Sequence, residues 1–230
     1  MVGLVGALHR HADVIGLLGR KLRELYPDLA EVHYKLGTGY MRAGRDAEAE
    51  ASLRTAIDLN PEYPEAANNL GILVDNRSHT TEAEALFRLA ISLDTGYFEP
   101  HINLGRLLVR ERRIIEAQYT LTRALELRPG SALAMAQLGS VLYEAGQVTE
   151  SKALLQRTVE ADPHNAHAWI WLGRCHNAFG ELDDATRCAR TAIALDPHQL
   201  APWHNLLLAT NWRNVSQVDA YAEHLAFGEH

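Results

Sequence analysis

The segment PEYPEAANNLG, at residues 61–71, contains the pattern that decides the fold, because its first proline and its glycine recur along the chain. The prolines lie 34 residues apart, or a multiple of 34, with threonine in the one position that lacks proline: Pro27, Pro61, Thr95, Pro129, Pro163 and Pro197. A glycine stands ten residues after each of the first five positions: Gly37, Gly71, Gly105, Gly139 and Gly173. Two series on one period indicate tandem copies of one supersecondary unit, stacked as a continuous solenoid.

Each copy also repeats the residues that two packed helices need. We number every copy from 1 to 34, starting at Ala30, Pro64, Phe98, Ala132 and Ala166. Position 7 is always leucine, positions 11 and 24 mostly carry large apolar side chains, and positions 8, 20 and 27 are mostly small. Small residues let two helices approach closely, and proline at position 32 stops the second helix. A glycine at position 15 is expected to end the first helix in three copies, at Gly44, Gly146 and Gly180.

This pattern resembles that of the tetratricopeptide repeat family, whose unit is a helix-turn-helix of 34 residues. The resemblance implies an all-α fold, a right-handed superhelix whose concave wall consists mainly of the first helix of each repeat. Full repeats are expected at residues 30–63, 64–97, 98–131, 132–165 and 166–199, with capping partial repeats at residues 1–29 and 200–230. Cap helices are expected at Asp13–Tyr26, at Leu200–Asn211 and from Asn214 or Ser216 through Phe227.

Composition and charge narrow the classes of partner. The 230 residues carry a formal net charge of −7, whereas nucleic-acid-binding proteins usually show a clustered basic excess. Cys175 and Cys188 lie 13 residues apart without CxxC spacing, which favours reduced thiols. The apolar start, residues 1–8, lacks a basic n-region, so we interpret it as helix and not as a signal peptide. No stretch reaches the roughly 18 apolar residues of a membrane span, and we expect a soluble, cytoplasmic protein.

The residue at position 6 of each first helix is expected on the concave wall, and most of these residues are carboxamides. With the last partial repeat included, the series is Lys35, Asn69, Asn103, Gln137, Trp171 and Asn205. A carboxamide both donates and accepts hydrogen bonds, so such a row suits the main chain of an extended peptide. The alternative is that these residues are polar only because they face solvent. The first interpretation predicts a protein or peptide ligand in the groove.

Arginines at positions 9 and 13 are expected on the same wall: Arg42, Arg106, Arg110 and Arg174. Arg106 and Arg110 are four residues apart, so they share a helix face and suit a carboxylate or a phosphate. The alternative is ion pairing within the repeats, because glutamates occupy position 2 in three copies. These glutamates are Glu31, Glu65 and Glu99.

Catalytic and metal-binding patterns are weak in this sequence. Most of the twelve histidines recur because the repeat recurs, and the His164–His167 pair has ligand spacing without a third ligand nearby. Cys175 and Cys188 fit helix packing better than nucleophilic chemistry. No phosphate-binding glycine loop, GxSxG or HExxH motif occurs. We therefore expect a non-enzymatic chain without cofactor or metal.

Residues 201–230, APWHNLLLATNWRNVSQVDAYAEHLAFGEH, resemble the junction after the last repeat in bacterial SPINDLY-type proteins, relatives of the O-linked N-acetylglucosamine transferases. The matching residues are Asn205, Leu206, Leu207, Ala222, Glu223, His224, Phe227, Gly228 and Glu229. The resemblance implies a glycosyltransferase domain after the repeats, to which an asparagine-lined groove presents acceptor protein. Two functions thus stay open: an autonomous interaction module or scaffold, and the acceptor-recognition arm of a transferase. Trp203 and Leu207 also suggest weak self-association through the terminal helices.

Overall fold

The computed structural model describes Lys21 and residues 24–212, and within them it contains eleven α-helices and no β-strand. The first helices of the repeats, each of 13 residues, are α1 (Ala30–Arg42), α3 (Pro64–Asn76), α5 (Phe98–Arg110), α7 (Ala132–Glu144), α9 (Ala166–Ala178) and α11 (Leu200–Trp212). The second helices, each of 14 residues, are α2 (Asp46–Leu59), α4 (Thr80–Leu93), α6 (Ile114–Leu127), α8 (Val148–Ala161) and α10 (Leu182–Leu195). The expected all-α fold is confirmed. The expected helix Asp13–Tyr26 lies largely outside the described residues, and the one ending at Phe227 lies wholly outside them.

The second helices end two residues before the recurring proline, but proline alone does not explain this. Helix α4 ends at Leu93 in the same way, although Thr95 replaces proline. There the carboxylate of Asp94 accepts a hydrogen bond from the Gly96 backbone N–H at 2.9 Å, which forms an Asx turn. The same turn follows α2, α8 and α10, where Asn60, Asp162 and Asp196 accept from the residue two positions on. An Asn or Asp at position 31 therefore shares the stopping role with proline.

In each of the five full repeats, a residue in the left-handed region follows two positions after the last residue of the first helix. The predicted glycines Gly44, Gly146 and Gly180 have φ of 68°, 81° and 73°. In the other two repeats Ser78 and Arg112 occupy the same position, with φ of 64° and 61°. The geometry is thus common to all five repeats, and two of them adopt it with a residue that disfavours it.

The chain divides into two compact units, Met1–Leu107 and Leu108–His230. In the first unit, the glycines at position 8 let the helices of a pair approach closely. A methyl group added at Gly37 would lie 2.6 Å from Leu53 Cγ, and one at Gly71 would lie 2.7 Å from the Phe87 ring. Leu53 and Phe87 are at most 1% exposed, so these contacts form the centre of each helix pair.

In the second unit the same contact recurs between Gly139 and Leu155, whose Cγ lies 2.6 Å from the position of an added methyl. Ser151 ties this pair together, because its hydroxyl donates to the Gly139 carbonyl at 2.7 Å. At α11, Trp203 is buried, donates its indole N–H to the Pro197 carbonyl at 3.2 Å and packs with Leu206 near Ala189. No helix in the described residues is both long enough and apolar enough to cross a membrane.

Candidate functional site

In the first unit, two of the predicted carboxamides belong to one hydrogen-bonded group. Asn103 Nδ2 donates to Asn68 Oδ1 at 3.0 Å, and Asn68 Nδ2 donates to Asn69 Oδ1 at 3.4 Å. Asn68 is buried, while Asn69 and Asn103 are half-buried. We call these three residues the amide network. Sequence reasoning missed Asn68, although its place beside Asn69 in the pair NN was a signal that position 5 also carries a carboxamide.

Tyrosines surround the amide network. The rings of Tyr34 and Tyr63 lie 4.8 Å apart between centroids. Burial, with a contribution from Glu65, raises the pKa of Tyr34, against the effect of a hydrogen bond with Asn69. Burial also raises the pKa of Tyr63 and of Tyr97 to about 12. These hydroxyls therefore stay neutral at physiological pH and keep both a donor and an acceptor.

The other predicted residues of the first unit, Lys35 and Arg106, are exposed. Lys35 Nζ pairs with Glu31 Oε1 at 2.6 Å on the exposed surface of α1, as the ion-pairing interpretation expects. Arg106 is exposed on α5. In the row of position-6 residues, Asn69 and Asn103 are thus hydrogen-bonded to each other through Asn68. Lys35, by contrast, forms an ion pair within its own helix.

In the second unit, the predicted residues Trp171 and Arg174 form a cluster with Tyr143, which sequence reasoning missed. The guanidinium carbon of Arg174 lies 4.2 Å from the Trp171 ring centroid and 4.8 Å from that of Tyr143. The two rings are 5.6 Å apart. Trp171 is oriented by its indole N–H, which donates to His167 Nε2 at 3.0 Å. Cation–π contacts of this kind contribute about 0.5–1 kcal/mol each at partly exposed sites.

This cluster borders a cavity of about 270 Å³. The described residues that line the cavity all lie on first helices, namely α7, α9 and α11: Tyr143, Arg174, Asn177, Ala201, His204, Asn205 and Leu208. None of them is acidic. We call this cavity, together with Trp171, the arginine–aromatic pocket.

Asn205 supports this pocket from inside the protein. It is 3% exposed, its side-chain Nδ2 donates to the Ile170 backbone carbonyl at 3.0 Å, and its backbone carbonyl accepts from Asn177 Nδ2 at 3.3 Å. Its side chain therefore joins α11 to α9. Of the remaining predicted residues, Gln137 is half-buried on α7 and Arg110 is exposed on α5.

The cysteines and histidines occupy structural positions. Cys175 and Cys188 are buried, and burial raises the pKa of both thiols, that of Cys188 to about 12. Neither thiol is therefore activated as a nucleophile. Of the predicted histidine pair, His164 is exposed, whereas Nε2 of the half-buried His167 accepts from Trp171.

One group in the described residues has metal-ligand chemistry: His176, Glu181 and Asp184. His176 Nδ1 lies 2.5 Å from Glu181 Oε2, and the same oxygen pairs with Lys152 Nζ. The lysine ammonium already neutralises the carboxylate that a metal would need, so we interpret this group as an ion-pair network that joins α8, α9 and the start of α10.

Solved structures share this architecture. YrrB, described as a TPR protein with an unusual peptide-binding site, is 22% identical, with a TM-score of 0.68 over 81% of this chain and 96% of that one. PilF of Pseudomonas aeruginosa is 18% identical, with a TM-score of 0.73 over 87% of this chain and 89% of that one. PilW, described as a widely conserved type IV pilus biogenesis factor, is 23% identical, with a TM-score of 0.69 and the same two coverages. No curated protein matches the chain.

Two family models agree with the period, the helix pairs and the structural neighbours. One tetratricopeptide repeat model matches residues 34–97, and another matches residues 108–162 and 142–209. The matched segments together cover well over half of the sequence. This chain therefore belongs to the tetratricopeptide repeat family.

Proposed function

We propose that this chain is a non-catalytic protein-interaction module that holds an extended peptide on the surface of its first helices. The observation that carries the proposal is the amide network of Asn68, Asn69 and Asn103, bordered by neutral tyrosine hydroxyls. Asn103 uses an N–H toward Asn68 and keeps its Oδ1 as an acceptor, so it suits a peptide N–H. The likeness to YrrB, whose description names a peptide-binding site, supports this proposal. The two buried, unpaired cysteines fit the reducing environment of the cytoplasm, which we propose as its location.

The internal hydrogen bonds of the network matter for binding. A peptide that replaces water on Asn69 and Asn103 meets side chains already oriented by Asn68, so less side-chain entropy is lost on binding. A main-chain contact of this kind is indifferent to the side chains of the peptide. The amide network thus contributes affinity, and selection among partners must come from other groups.

The test is a selection from a library of random peptides with the full chain as bait. Selected peptides are then measured by fluorescence anisotropy against the double variant Asn69→Ala/Asn103→Ala. We expect a loss of affinity of about tenfold, since each lost hydrogen bond contributes about 0.5–1.5 kcal/mol and 1.4 kcal/mol corresponds to tenfold. Gln156→Ala, an exposed carboxamide on the second helix α8, is the matched control and should bind as the parent does. Equal binding by all three proteins, at unchanged helicity, contradicts the proposal.

The second candidate function is the acceptor-recognition arm of a SPINDLY-like protein O-glycosyltransferase. It rests on the sequence resemblance of residues 201–230, of which residues 213–230 lie outside the described part. An open reading frame that continues past His230 into a nucleotide-sugar-binding domain would favour it. A stop codon at that point in the gene would favour the autonomous module.

A further inference from the structure

We propose that the arginine–aromatic pocket binds an aspartate or glutamate side chain of the partner, next to a large apolar residue in the partner's sequence. This inference rests on the proposed function, because it names side chains of the peptide that the first helices hold. It follows from four features of the second unit: the aromatic contacts of Arg174, the absence of acids among the described lining residues, the fixed amides and an adjoining apolar hollow.

The stacking of Arg174 prepares it for a planar anion. The guanidinium carbon lies 4.2 Å from the Trp171 centroid and 4.8 Å from the Tyr143 centroid, and these two centroids are 5.6 Å apart, so both rings pack toward one side of the group and do not enclose its N–H donors. A guanidinium presents those donors in a fixed fork that matches the two oxygens of a carboxylate. The rings also hold the side chain in place, which reduces the rotamer entropy that binding would otherwise cost.

The surroundings of Arg174 differ in charge from those of two exposed arginines on second helices. The chain has a net charge of −7, and the exposed Arg123 and Arg187 on second helices pair with Glu126 and Asp184 at 2.8 Å and 2.6 Å. By contrast, the described residues that line the pocket contain an arginine and His204 but no acid. Among the described lining residues, a carboxylate of the partner would therefore meet a cation and no competing acid.

The amides behind Arg174 fix the shape of the pocket. Asn177 donates to the Asn205 carbonyl and lines the pocket, and its Oδ1 is buried with no hydrogen-bond partner. Asn205 in turn is anchored to Ile170 of α9. The lining therefore comes from helix residues joined by hydrogen bonds, and a site on such elements is positioned more accurately than one on loops.

An apolar hollow adjoins the pocket and shares Asn177 and Leu208 with it. Its other lining among the described residues includes Phe179 and Leu182, and Phe179 and Leu208 are 47% and 39% exposed. A large apolar side chain beside the acidic one would cover these surfaces. The pocket shares Asn177 and Leu208 with the hollow, and we assign it a side-chain carboxylate within a peptide rather than a C-terminal carboxylate, a choice that the experiments below test.

The first experiment selects peptides with the parent chain and with Arg174→Gln in parallel. The library is displayed at the N-terminus of a coat protein, so no peptide ends in a free C-terminal carboxylate. We expect the parent pool to be enriched in Asp or Glu adjacent to Leu, Ile, Met or Phe, and the Arg174→Gln pool to lack this enrichment. Arg123→Gln, an arginine of a second helix, is the matched control and should select as the parent does.

The second experiment is a double-mutant cycle on one selected peptide, measured by fluorescence anisotropy. Replacing the acid of the peptide by its amide should weaken binding to the parent chain about ten- to a hundredfold, the range for hydrogen bonds to charged groups. The same replacement should change binding to Arg174→Gln about twofold or less, because the two groups act as one pair. The peptide substitution also tests the pocket without any change to the protein, so a folding defect in Arg174→Gln cannot imitate the result.

The outcomes separate the two proposals. Peptides that depend on Asn69 and Asn103 but show no acid preference overturn the pocket assignment and leave the proposed function standing. The pocket assignment is also overturned if the peptide substitution weakens binding to Arg174→Gln as much as it weakens binding to the parent chain. Preferential selection of peptides through their terminal carboxylate, from a library with free C-termini, would overturn it as well. Failure to select any peptide overturns both.

Discussion

In the helix pairs of the second unit, the same substitution at two glycines is predicted to have different effects on stability. Gly139 and Gly173 both occupy position 8, in α7 and α9. At Gly139 an added methyl would lie 2.6 Å from both Cγ and Cδ2 of Leu155, a side chain with 0% exposure. At Gly173 the nearest atom, Cys188 Cβ, would be 3.3 Å away. The first distance requires a large displacement of a fully buried side chain, whereas the second requires Cys188 to shift by a few tenths of an ångström.

The magnitudes follow from two opposing effects. Forcing an extra methyl into a packed core costs about 1–3 kcal/mol, whereas replacing glycine inside a helix stabilises it by about 0.5–1 kcal/mol. For Gly139→Ala we therefore expect a net loss of about 1–2 kcal/mol. For Gly173→Ala we expect a change between zero and a gain of about 0.5 kcal/mol, because a small adjustment relieves the contact.

Thermal unfolding followed by circular dichroism measures both variants. A loss of 1 kcal/mol lowers Tm by about 2–4 °C in a chain of this size, so Gly139→Ala should melt about 2–8 °C below the parent. A double-mutant cycle identifies the cause: in a Leu155→Ala background, Gly139→Ala should no longer destabilise, because the clashing atoms are gone. Equal effects at Gly139 and Gly173, or an unchanged effect in the Leu155→Ala background, would refute this reasoning.

Three further predictions concern other parts of the repeat. Ser78→Gly should stabilise the chain by about 0.5–1 kcal/mol, measured by urea unfolding. The left-handed conformation costs a non-glycine residue about 1–2 kcal/mol, and relief of this cost is partly offset because glycine gives the unfolded chain more conformational entropy. Cys175 and Cys188 should resist alkylation at pH 8 in the folded chain and react in denaturant, and fast labelling of the native protein would contradict their burial. The raised pKa of Tyr63 and Tyr97 predicts stability that is complete below pH 10 and is lost between pH 10 and about 12, as the unfolded tyrosines ionise first. Tyr97→Phe should make that loss smaller, and an identical loss in the variant would show that Tyr97 does not cause it.

The sequence predicts the fold well because the contacts inside a helix pair are local and repeated. Leu155 faces Gly139 for the same reason that Phe87 faces Gly71, so one correct helix pair predicts the others. The exceptions are informative. Arg112 shows that a repeat adopts the left-handed turn without glycine, since the helices on both sides fix the geometry. Thr95 shows that Asp94 can stop a helix where proline is missing.

The candidate site was less predictable, because its groups depend on contacts between different repeats. Position 6 includes Asn69 and Asn103, which the structure joins through hydrogen bonds, but it gave no indication that Asn68 connects them. It also grouped Asn205 with solvent-facing carboxamides, whereas Asn205 is 3% exposed and bonded to Ile170. Sequence position alone cannot separate these cases, because the last helix of a stack meets different neighbours from the helices before it.

These two results together suggest how the chain divides its sequence between folding and recognition. Positions 8 and 24 must remain complementary within each pair, so they repeat and carry little information about the partner. The surface residues of the first helices do not need to be complementary in this way, and their side chains differ between the two units. One unit presents uncharged amides and tyrosines around Asn69, which suit a peptide main chain. The other presents a stacked cation at Arg174, which suits one acidic side chain, and selectivity for the partner should therefore be sought at Arg174.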